Sequence, residues 1–264
     1  MHPERLTTTG QARSGRFSLA WTGATDLGLL REHNEDAFLV EPDLPLFLVS
    51  DGMGGHAGGQ LASRIVVDDL PALLETRLHA LRSRSPRTLR RLLLQSLSEQ
   101  SRQLRLEGDH GTGFQGMGAT VVLALFQNDR ASIANLGDSR AYRLRNRRLR
   151  RLSRDHSVVA ELVEAGQLPP EQAENHPASH LLTSYVGTHE NPQPHVTSFS
   201  LQPDDRLLLC SDGLTDMIPE PEIARLLLEN PQDTETAASA LIHAALAAGG
   251  HDNTTLVLVH CRPA

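Results

Sequence analysis

Between Met117 and Ser153, four strand-like segments, ATVVLALF, RASIANLGD, RAYRLR and RRLRRLS, follow one another with only short polar turns such as QNDR and RNR between them. A parallel neighbour can be reached only through a crossover of about a dozen residues or more, so connections this short force an antiparallel meander. Any fold for this chain must be built around that meander.

The flanking sequence supplies the other layers. FSLAWTGATD from Phe17 alternates in a strand-like way, and DAFLVE and PLFLVSD follow as short apolar runs separated by a proline turn. Leu61, Ile65, Leu73, Leu74, Leu78 and Leu81 then recur at helical spacing, with Pro71 expected to kink or interrupt the helix. Ser85-Pro86 reads as an N-cap and first-turn proline for a second helix carried by Leu89, Leu92, Leu93 and Leu97.

After the meander, a helical SVVAELVEAG and irregular, proline-containing sequence form an insertion at about 153–195, of the kind that lies over a site. LLTSYVG, HVTSFSL and RLLLCSD read as strands, PEIARLLLEN and TETAASALIHAALAAG as two helices, and NTTLVLVH as a closing strand. That order predicts an α+β fold with sheet material between helical layers. Residues 1–16 show neither period and read as a flexible terminus, and 17–264 read as a single domain without repeats or linkers.

Bulk properties exclude several classes. No apolar run approaches the roughly 20 residues of a membrane span, and the polar start lacks a secretory signal, so a cytoplasmic protein is expected. The formal charge of −7 argues against a nucleic-acid-binding domain. All 25 basic residues are arginine. The dense run Arg143 to Arg151 reads as a solvated hairpin tip, with a docking patch for an acidic or phosphorylated partner as the alternative. Cys210 and Cys261 sit in or beside apolar runs and read as buried, reduced thiols.

Three motifs lack the context they need. GTGFQG at 111–116 precedes a strand instead of joining a strand to a helix, so it does not read as a dinucleotide loop. His176 and His180 have helical zinc spacing, yet Pro177 lies between them. Asn253-Thr-Thr is a glycosylation sequon in a chain with no export signal.

Four acidic segments share one pattern: REHNEDAF with Glu35 and Asp36, LVSDGMGG with Asp51, LLLCSDGL with Asp212, and GGHDNTTLVLV with Asp252. In two of them an apolar run ends in Ser-Asp-Gly, and in the last Asp-Asn introduces one. A single Asp-Gly is usually a turn, but several carboxylates converging at strand ends raise one another's pKa and call for a cation. All-oxygen donors suit Mg²⁺ or Mn²⁺, and these segments hold no histidine/cysteine set for zinc. Glycine after Asp51 permits a sharp turn and lets a backbone carbonyl approach a metal.

With Arg31 and NEDA, VSDGMGG, GATVV, NLGDSR, DHS, HP…LT, CSDGL and DNTT in this order, the chain resembles the metal-dependent Ser/Thr protein phosphatases of the protein phosphatase 2C type, and their bacterial branch in particular, from about Trp21 to Val259. The resemblance implies a β-sandwich of two antiparallel sheets flanked by pairs of helices, a four-layer α-β-β-α fold. It implies that Asp51 bridges two metal ions, that the Gly52 carbonyl ligates one, and that Asp212 and Asp252 complete the other's shell. Glu35 and Asp36 would hold metal-bound waters or ligate directly. Asp138 would join Asp212 at a third metal site, and Arg31 would grip the phosphate.

The implied chemistry is direct attack on phosphoserine or phosphothreonine by a metal-bridging hydroxide, without a phosphoenzyme. Met53 stands where many eukaryotic members have a candidate general acid, histidine, so leaving-group protonation would fall to metal-bound water. His180 and Ser184 stand where relatives often show asparagine and arginine. The implied partners are phosphorylated proteins and a cognate Ser/Thr kinase, with a monomeric phosphatase. A pseudophosphatase that binds without hydrolysis is the alternative, and retention of Asp51, Asp212 and Asp252 speaks against it.

Overall fold

Side-chain alternation in β4 (Leu46–Met53) sets the layers. Leu46 and Leu48 pack into one core with two long helices, α1 (His56–His79) and α2 (Pro86–His110), while Phe47 and Val49 point into a second core between two sheets. The same period of two recurs in β6 (Val121–Gln127), where Leu123 and Leu125 face the helices and Val122, Ala124 and Phe126 face the other sheet. These strands are apolar on both sides because both sides are covered.

The computed structural model describes residues 6–110, 114–173, 176–189 and 191–264. One sheet runs β1 (Leu6–Ser14), β2 (Phe17–Asp26), β12 (Thr254–Pro263), β11 (Arg206–Cys210), β8 (Arg140–Arg145) and β9 (Arg148–Arg151), with each neighbouring pair antiparallel. The other runs β10 (His195–Ser200), β7 (Arg130–Leu136), β6, β4 and β3 (Asp36–Glu41), also antiparallel, and β5 (Gly118–Ala119) adds to the end of β4. On the outer face of the first sheet, Leu208, Cys210, Leu256 and Leu258 pack against α5 (Glu220–Glu229) and α6 (Thr234–Ala247). The result is the four-layer α-β-β-α sandwich, but the expected continuous meander is corrected: β6–β7 and β8–β9 are separate hairpins in different sheets, because the short connection 137–139 carries the chain from one sheet to the other instead of turning it back alongside β7.

Three local expectations are corrected. Residues 6–14 are not loose: β1 forms a hairpin with β2 through a tight turn in which Gly15 takes φ 57°. An apolar period is missing because β1 is an edge strand. It packs through Gly10, opposite Trp21, where an added Cβ would lie 2.4 Å from the indole ring. Pro71 does not break α1, which continues through it and forgoes only the hydrogen bond that a residue 71 N–H would give to the Val67 carbonyl. Within the insertion, after the helix α3 (Val158–Glu164), LLTSYVG is not a strand, since only isolated bridges form there, Leu182 with Ser157 and Val186 with Ala119.

Ser85 caps α2 as expected, its Oγ accepting from the Thr88 N–H at 3.2 Å. The basic run folds as the β8–β9 hairpin, turning at Asn146 and Arg147, both with positive φ. Part of it is anchored instead of solvated. Arg145 makes a two-pronged pair with Asp205 at 2.5 Å, Arg151 pairs with Asp155, and the Arg143 guanidinium lies 4.7 Å from the centre of the Phe199 ring. Both cysteines are free and buried, Cys210 toward the outer helices and Cys261 between the sheets. No helix among the described residues is long and apolar enough to cross a membrane.

Candidate metal centre

Asp51 lies near the end of β4, opposite Asp36 of β3 in the ladder register. Its main chain is fixed on both sides by Thr120: the Asp51 N–H donates to Thr120 Oγ1 at 2.9 Å, and the Thr120 N–H donates to the Asp51 carbonyl at 2.8 Å. Thr120 Oγ1 also shares a 2.6 Å hydrogen bond with Ser139 Oγ, beside Asp138 in the loop between β7 and β8. One buried threonine therefore ties two carboxylate-bearing segments together.

From the other sheet, Asp212 opens the short helix α4 (Asp212–Thr215), and Ser211 just before it donates to Asp36 Oδ2 at 2.7 Å while accepting from the Thr255 N–H at 3.0 Å. Asp252 precedes β12. Its Oδ1 accepts from the Asn253 N–H at 2.8 Å and its Oδ2 from Arg31 Nη2 at 2.5 Å. Asn253 spans the loop before β3, donating to the carbonyls of Leu27 and His33 and accepting from the Glu35 N–H.

Glycine is required where β4 meets α1. A Cβ on Gly52 would lie 1.9 Å from the Gly59 carbonyl oxygen, and one on Gly59 would lie 1.9 Å from a Glu35 carboxylate oxygen. The Gly52 N–H also donates to the Glu35 carbonyl at 3.1 Å. The end of β4, the first turn of α1 and the Glu35 segment thus meet backbone against backbone, with Glu35's carboxylate lying over Gly59.

The electrostatics follow from this convergence. Burial, then the charges of Asp212, Asp36, Asp138 and Asp252, push the Asp51 carboxyl well above the ordinary range. Asp212 is raised in the same sense by burial, then by Asp138, Asp216, Asp252 and Asp36. Burial raises Asp36 against the hydrogen bonds from Ser211 and Thr255. It also raises Asp138 against Arg140 and His180, with Asp216 adding to the rise. Burial disfavours the Arg31 cation, but Asp252, Glu35 and Asp51 outweigh it and leave the guanidinium more firmly protonated.

A crowd of like charges in low dielectric is costly unless cations neutralise it. The donor set fits hard divalent ions, since it consists of carboxylate oxygens, and Asp138 Oδ1 is buried without a hydrogen-bond partner. A sequence profile for Protein phosphatase 2C matches residues 31–247. The chain belongs to the protein phosphatase 2C family.

Relatives agree in sequence and in fold. The Serine/threonine phosphatase stp of Listeria welshimeri is 37% identical over 238 residues, covering 89% of this chain and 93% of that protein. The crystal structure of Serine/threonine phosphatase Stp1 from Staphylococcus aureus superposes with a TM-score of 0.83 at 34% identity, covering 95% of this chain and 98% of that one. The catalytic domain of the serine/threonine protein phosphatase PstP, solved in complex with two manganese ions, gives a TM-score of 0.75 at 31% identity, covering 92% and 98%.

Within the protein phosphatase 2C frame the remaining sequence features find their places. His176 and His180 are not on a helix; His176 Nδ1 accepts from the Ala178 N–H, and His180 Nδ1 lies 3.7 Å from Asp216 Oδ2. Ser184 Oγ accepts from the Gln193 N–H at 3.3 Å, within the insertion itself. Met53 pairs with Gly118 at the end of β4. The first half of GTGFQG, residues 111–113, lies outside the described residues. Asn253 is part of the site's scaffold.

Sequence reading missed Asp216 and the positioning groups Thr120, Ser211 and Asn253. Asp216 was readable from SDGLTD, where it follows Asp212 by four residues and so shares one helical face, its N–H donating to the Asp212 carbonyl at 2.8 Å.

Proposed function

We propose that this protein phosphatase 2C member is a protein serine/threonine phosphatase whose reaction takes place at the carboxylate cluster. In this reading Asp51, the Gly52 carbonyl, Asp212 and Asp252 hold two Mn²⁺ or Mg²⁺ ions, with Glu35 and Asp36 alongside and Asp138 and Asp212 at a third. The observation that carries it is the meeting of Asp36, Asp51, Asp138, Asp212 and Asp252 from both sheets, with the carboxyls of Asp51 and Asp212 raised chiefly by burial and then by their neighbours. Nothing about the fold alone requires so many carboxylates there.

When bound, divalent ions supply positive charge to the phosphoryl oxygens and make water acidic enough to serve as the attacking nucleophile. The protein supplies orientation and exclusion. Arg31 stands at the edge of the cluster, half-exposed, its Nη2 on Asp252. An arriving phosphate dianion competes with Asp252 for that guanidinium, whose planar fork can hold two phosphoryl oxygens. Asn253 sets the height of the Arg31 loop, and Thr120 fixes the main chain that carries Asp51. Exposed Leu29 and Leu30 give the loop an apolar surface for residues flanking a phosphorylated side chain.

The substrates in this reading are phosphorylated proteins. The remaining parts, a cytoplasmic monomer opposing a Ser/Thr kinase, draw on the resemblance to bacterial members.

Hydrolysis of p-nitrophenyl phosphate and of a phosphothreonine peptide with added Mn²⁺ tests the proposal, with Asp212→Asn as control. Metal-dependent turnover by the wild type and none by the variant is expected. A folded, metal-loaded wild type as inert as Asp212→Asn overturns it.

A further inference from the structure

Four arginines of the β8–β9 hairpin share one face. The ladder sets Arg143 opposite Arg150 and Arg145 opposite Arg148, so all four side chains stand on the same side of the sheet. The other side carries Tyr142, Leu144 and Leu149, which pack into the core under the outer helices. Phe199 of β10, in the second sheet, has the Arg143 guanidinium 4.7 Å and the Arg145 guanidinium 5.7 Å from its ring centre. The arginine face is therefore turned toward the second sheet, and it runs out to solvent at Arg148 and Arg150, both exposed.

Like charges directly opposite one another in a ladder destabilise it. Asp205 compensates Arg145. Among the described residues, Arg143, Arg148 and Arg150 make no salt bridge or hydrogen bond, and Arg143 Nε is buried without a partner. Burial first, then the charge of Arg145, hold the Arg143 pKa below its ordinary value, with Arg150 adding to the fall and Asp205 opposing it. Protection of a sheet edge accounts for Arg148 and Arg150, since β9 is the last strand of its sheet. It does not account for Arg143, because β8 lies between β11 and β9 and no further chain can pair with it.

We propose that this face docks a second phosphoserine or phosphothreonine of a protein substrate, apart from the residue that is hydrolysed. The proposal rests on the phosphatase reading above and names a substrate class for it, chains phosphorylated at more than one place. A phosphate dianion offsets two guanidinium charges at once and accepts a two-pronged bond from each fork, whereas a carboxylate brings a single charge. Set among Arg143, Arg148 and Arg150, it replaces their repulsion with attraction. Reach fits as well. Arg143 and Arg145 follow Asp138 by five and seven residues, so they lie at most about 17 and 24 Å from it. An extended substrate chain covers that span in about five to seven residues.

The test compares the full chain with its double variant Arg148→Gln/Arg150→Gln, which removes two exposed charges and touches no residue of the metal centre. Because those charges repel Arg143 and Arg145, the variant's Tm is expected not to fall. Four peptides are used: one with a single phosphothreonine, one with a second phosphothreonine about six residues away, one with the two about two residues apart, and one with glutamate at the distant place. Steady-state kinetics with Mn²⁺ read KM and kcat, with p-nitrophenyl phosphate as a small-substrate control. Fluorescence anisotropy on Asp212→Asn, with and without the two glutamine substitutions, reads binding in the absence of turnover.

The wild type is expected to show a KM about tenfold lower for the widely spaced diphosphopeptide than for the other three, at similar kcat, with the preference shrinking as salt is raised. The double variant is expected to lose the preference while keeping its kcat and its rate on p-nitrophenyl phosphate. Anisotropy is expected to repeat the preference on Asp212→Asn and its loss with the added glutamines. Equal KM for all four peptides, or a preference that survives in the double variant, overturns the proposal. So does equal preference for the glutamate peptide, which makes the face a reader of general acidity. A double variant that loses binding to phosphatidylserine vesicles but keeps the peptide preference also overturns it, and makes the face a membrane contact. No turnover by any protein, with the anisotropy difference intact, sinks the phosphatase reading and leaves the docking face standing.

Discussion

Asn253→Ala removes the side chain that holds the Arg31 loop in register. Asn253 is 4% exposed; its amide donates to the Leu27 carbonyl at 2.9 Å and the His33 carbonyl at 3.1 Å and accepts from the Glu35 N–H at 2.8 Å. At about 1 kcal/mol net for each of the three bonds, the loss is roughly 3 kcal/mol, less where the freed carbonyls reach water. Spread over the whole fold, that lowers Tm by about 6–12 °C for a chain of this size.

Much of the loss is local, since residues 27–35 can open while the sandwich stays folded, and Tm then registers only part of it. Hydrogen exchange over this loop and steady-state kinetics are therefore the sharper assays. Displacing Arg31 by about an ångström is expected to raise KM for a phosphothreonine peptide tenfold or more. Asn253→Asp keeps the shape but turns a carboxylate toward two carbonyls, and it should do no better than alanine. Unchanged exchange, KM and Tm in Asn253→Ala would refute the reasoning. The loop would then be held by its other ties, the Leu29 N–H to the Gly250 carbonyl and the Gly28 N–H to Asp26 Oδ1.

Other perturbations separate scaffold from chemistry. In EDTA, Asp212→Asn should melt a few degrees higher than wild type, because it removes one of several repelling buried charges, and Mn²⁺ should stabilise the wild type far more than the variant. Gly52→Ala should fail to fold or lose metal binding, since its Cβ would meet the Gly59 carbonyl at 1.9 Å; native-like melting with full Mn²⁺ affinity would contradict this. Arg145→Met leaves Asp205, 0% exposed, without its cation and should cost about 3–5 kcal/mol in urea unfolding, and Arg145→Lys should restore little of it because a single ammonium cannot replace the two-pronged fork.

His260 supplies a pH dependence. Burial first, then Arg262 and Arg206, hold its pKa below the ordinary value against the pull of Asp204. The neutral ring is satisfied with Nδ1 accepting from Arg262 Nε and Nε2 donating to Asp204. Below about pH 6.5 the unfolded chain takes up a proton that the folded ring resists, so this contribution is complete above that pH and is lost as pH falls. The pH-stability curve of His260→Gln should be flatter between about pH 7 and 5 in chemical denaturation, and a parallel curve would count against the assignment.

How much of the fold could be read from sequence depends on what covers each strand. LFLV reads plainly as a buried strand because helices cover one face and the second sheet the other, so all four residues are apolar. β1 could not be read in that way. Its outward face is solvent, and its inward face carries only small residues, Gly10 beneath Trp21, then Ala12 and Ser14, which leave little hydrophobic mark on the strand itself. LLTSYVG has the opposite problem: strand-like residues with nothing beside them to complete a ladder, since β5 already occupies the end of β4. Strand propensity describes a residue's fit to a pleated surface, and here no such surface is on offer.

The site divides along the same physical line. Asp51, Asp212 and Asp252 announce themselves because each ends or begins an apolar run, and a run's end is a local property. Thr120, Ser211 and Asn253 do not, because what a hydroxyl or amide bonds to depends on which distant strand lies alongside. Ser211 reaches Asp36 only because the two sheets meet there, and Thr120 reaches Asp51 only because of how β6 lies against β4. These three side chains are neutral, so they place the carboxylates without cancelling their charge. Asp51 is fixed through its main chain, and Asp36 is bonded by Ser211 at Oδ2. The frame is therefore positioned in advance by neutral hydrogen bonds, and the cost of assembling negative charge is left for divalent cations to offset. A lysine or arginine in the place of Thr120 or Ser211, 1% and 0% exposed, would cancel charge that the cations otherwise offset and would also lose the hydroxyl hydrogen bonds that hold Asp51 and Asp36.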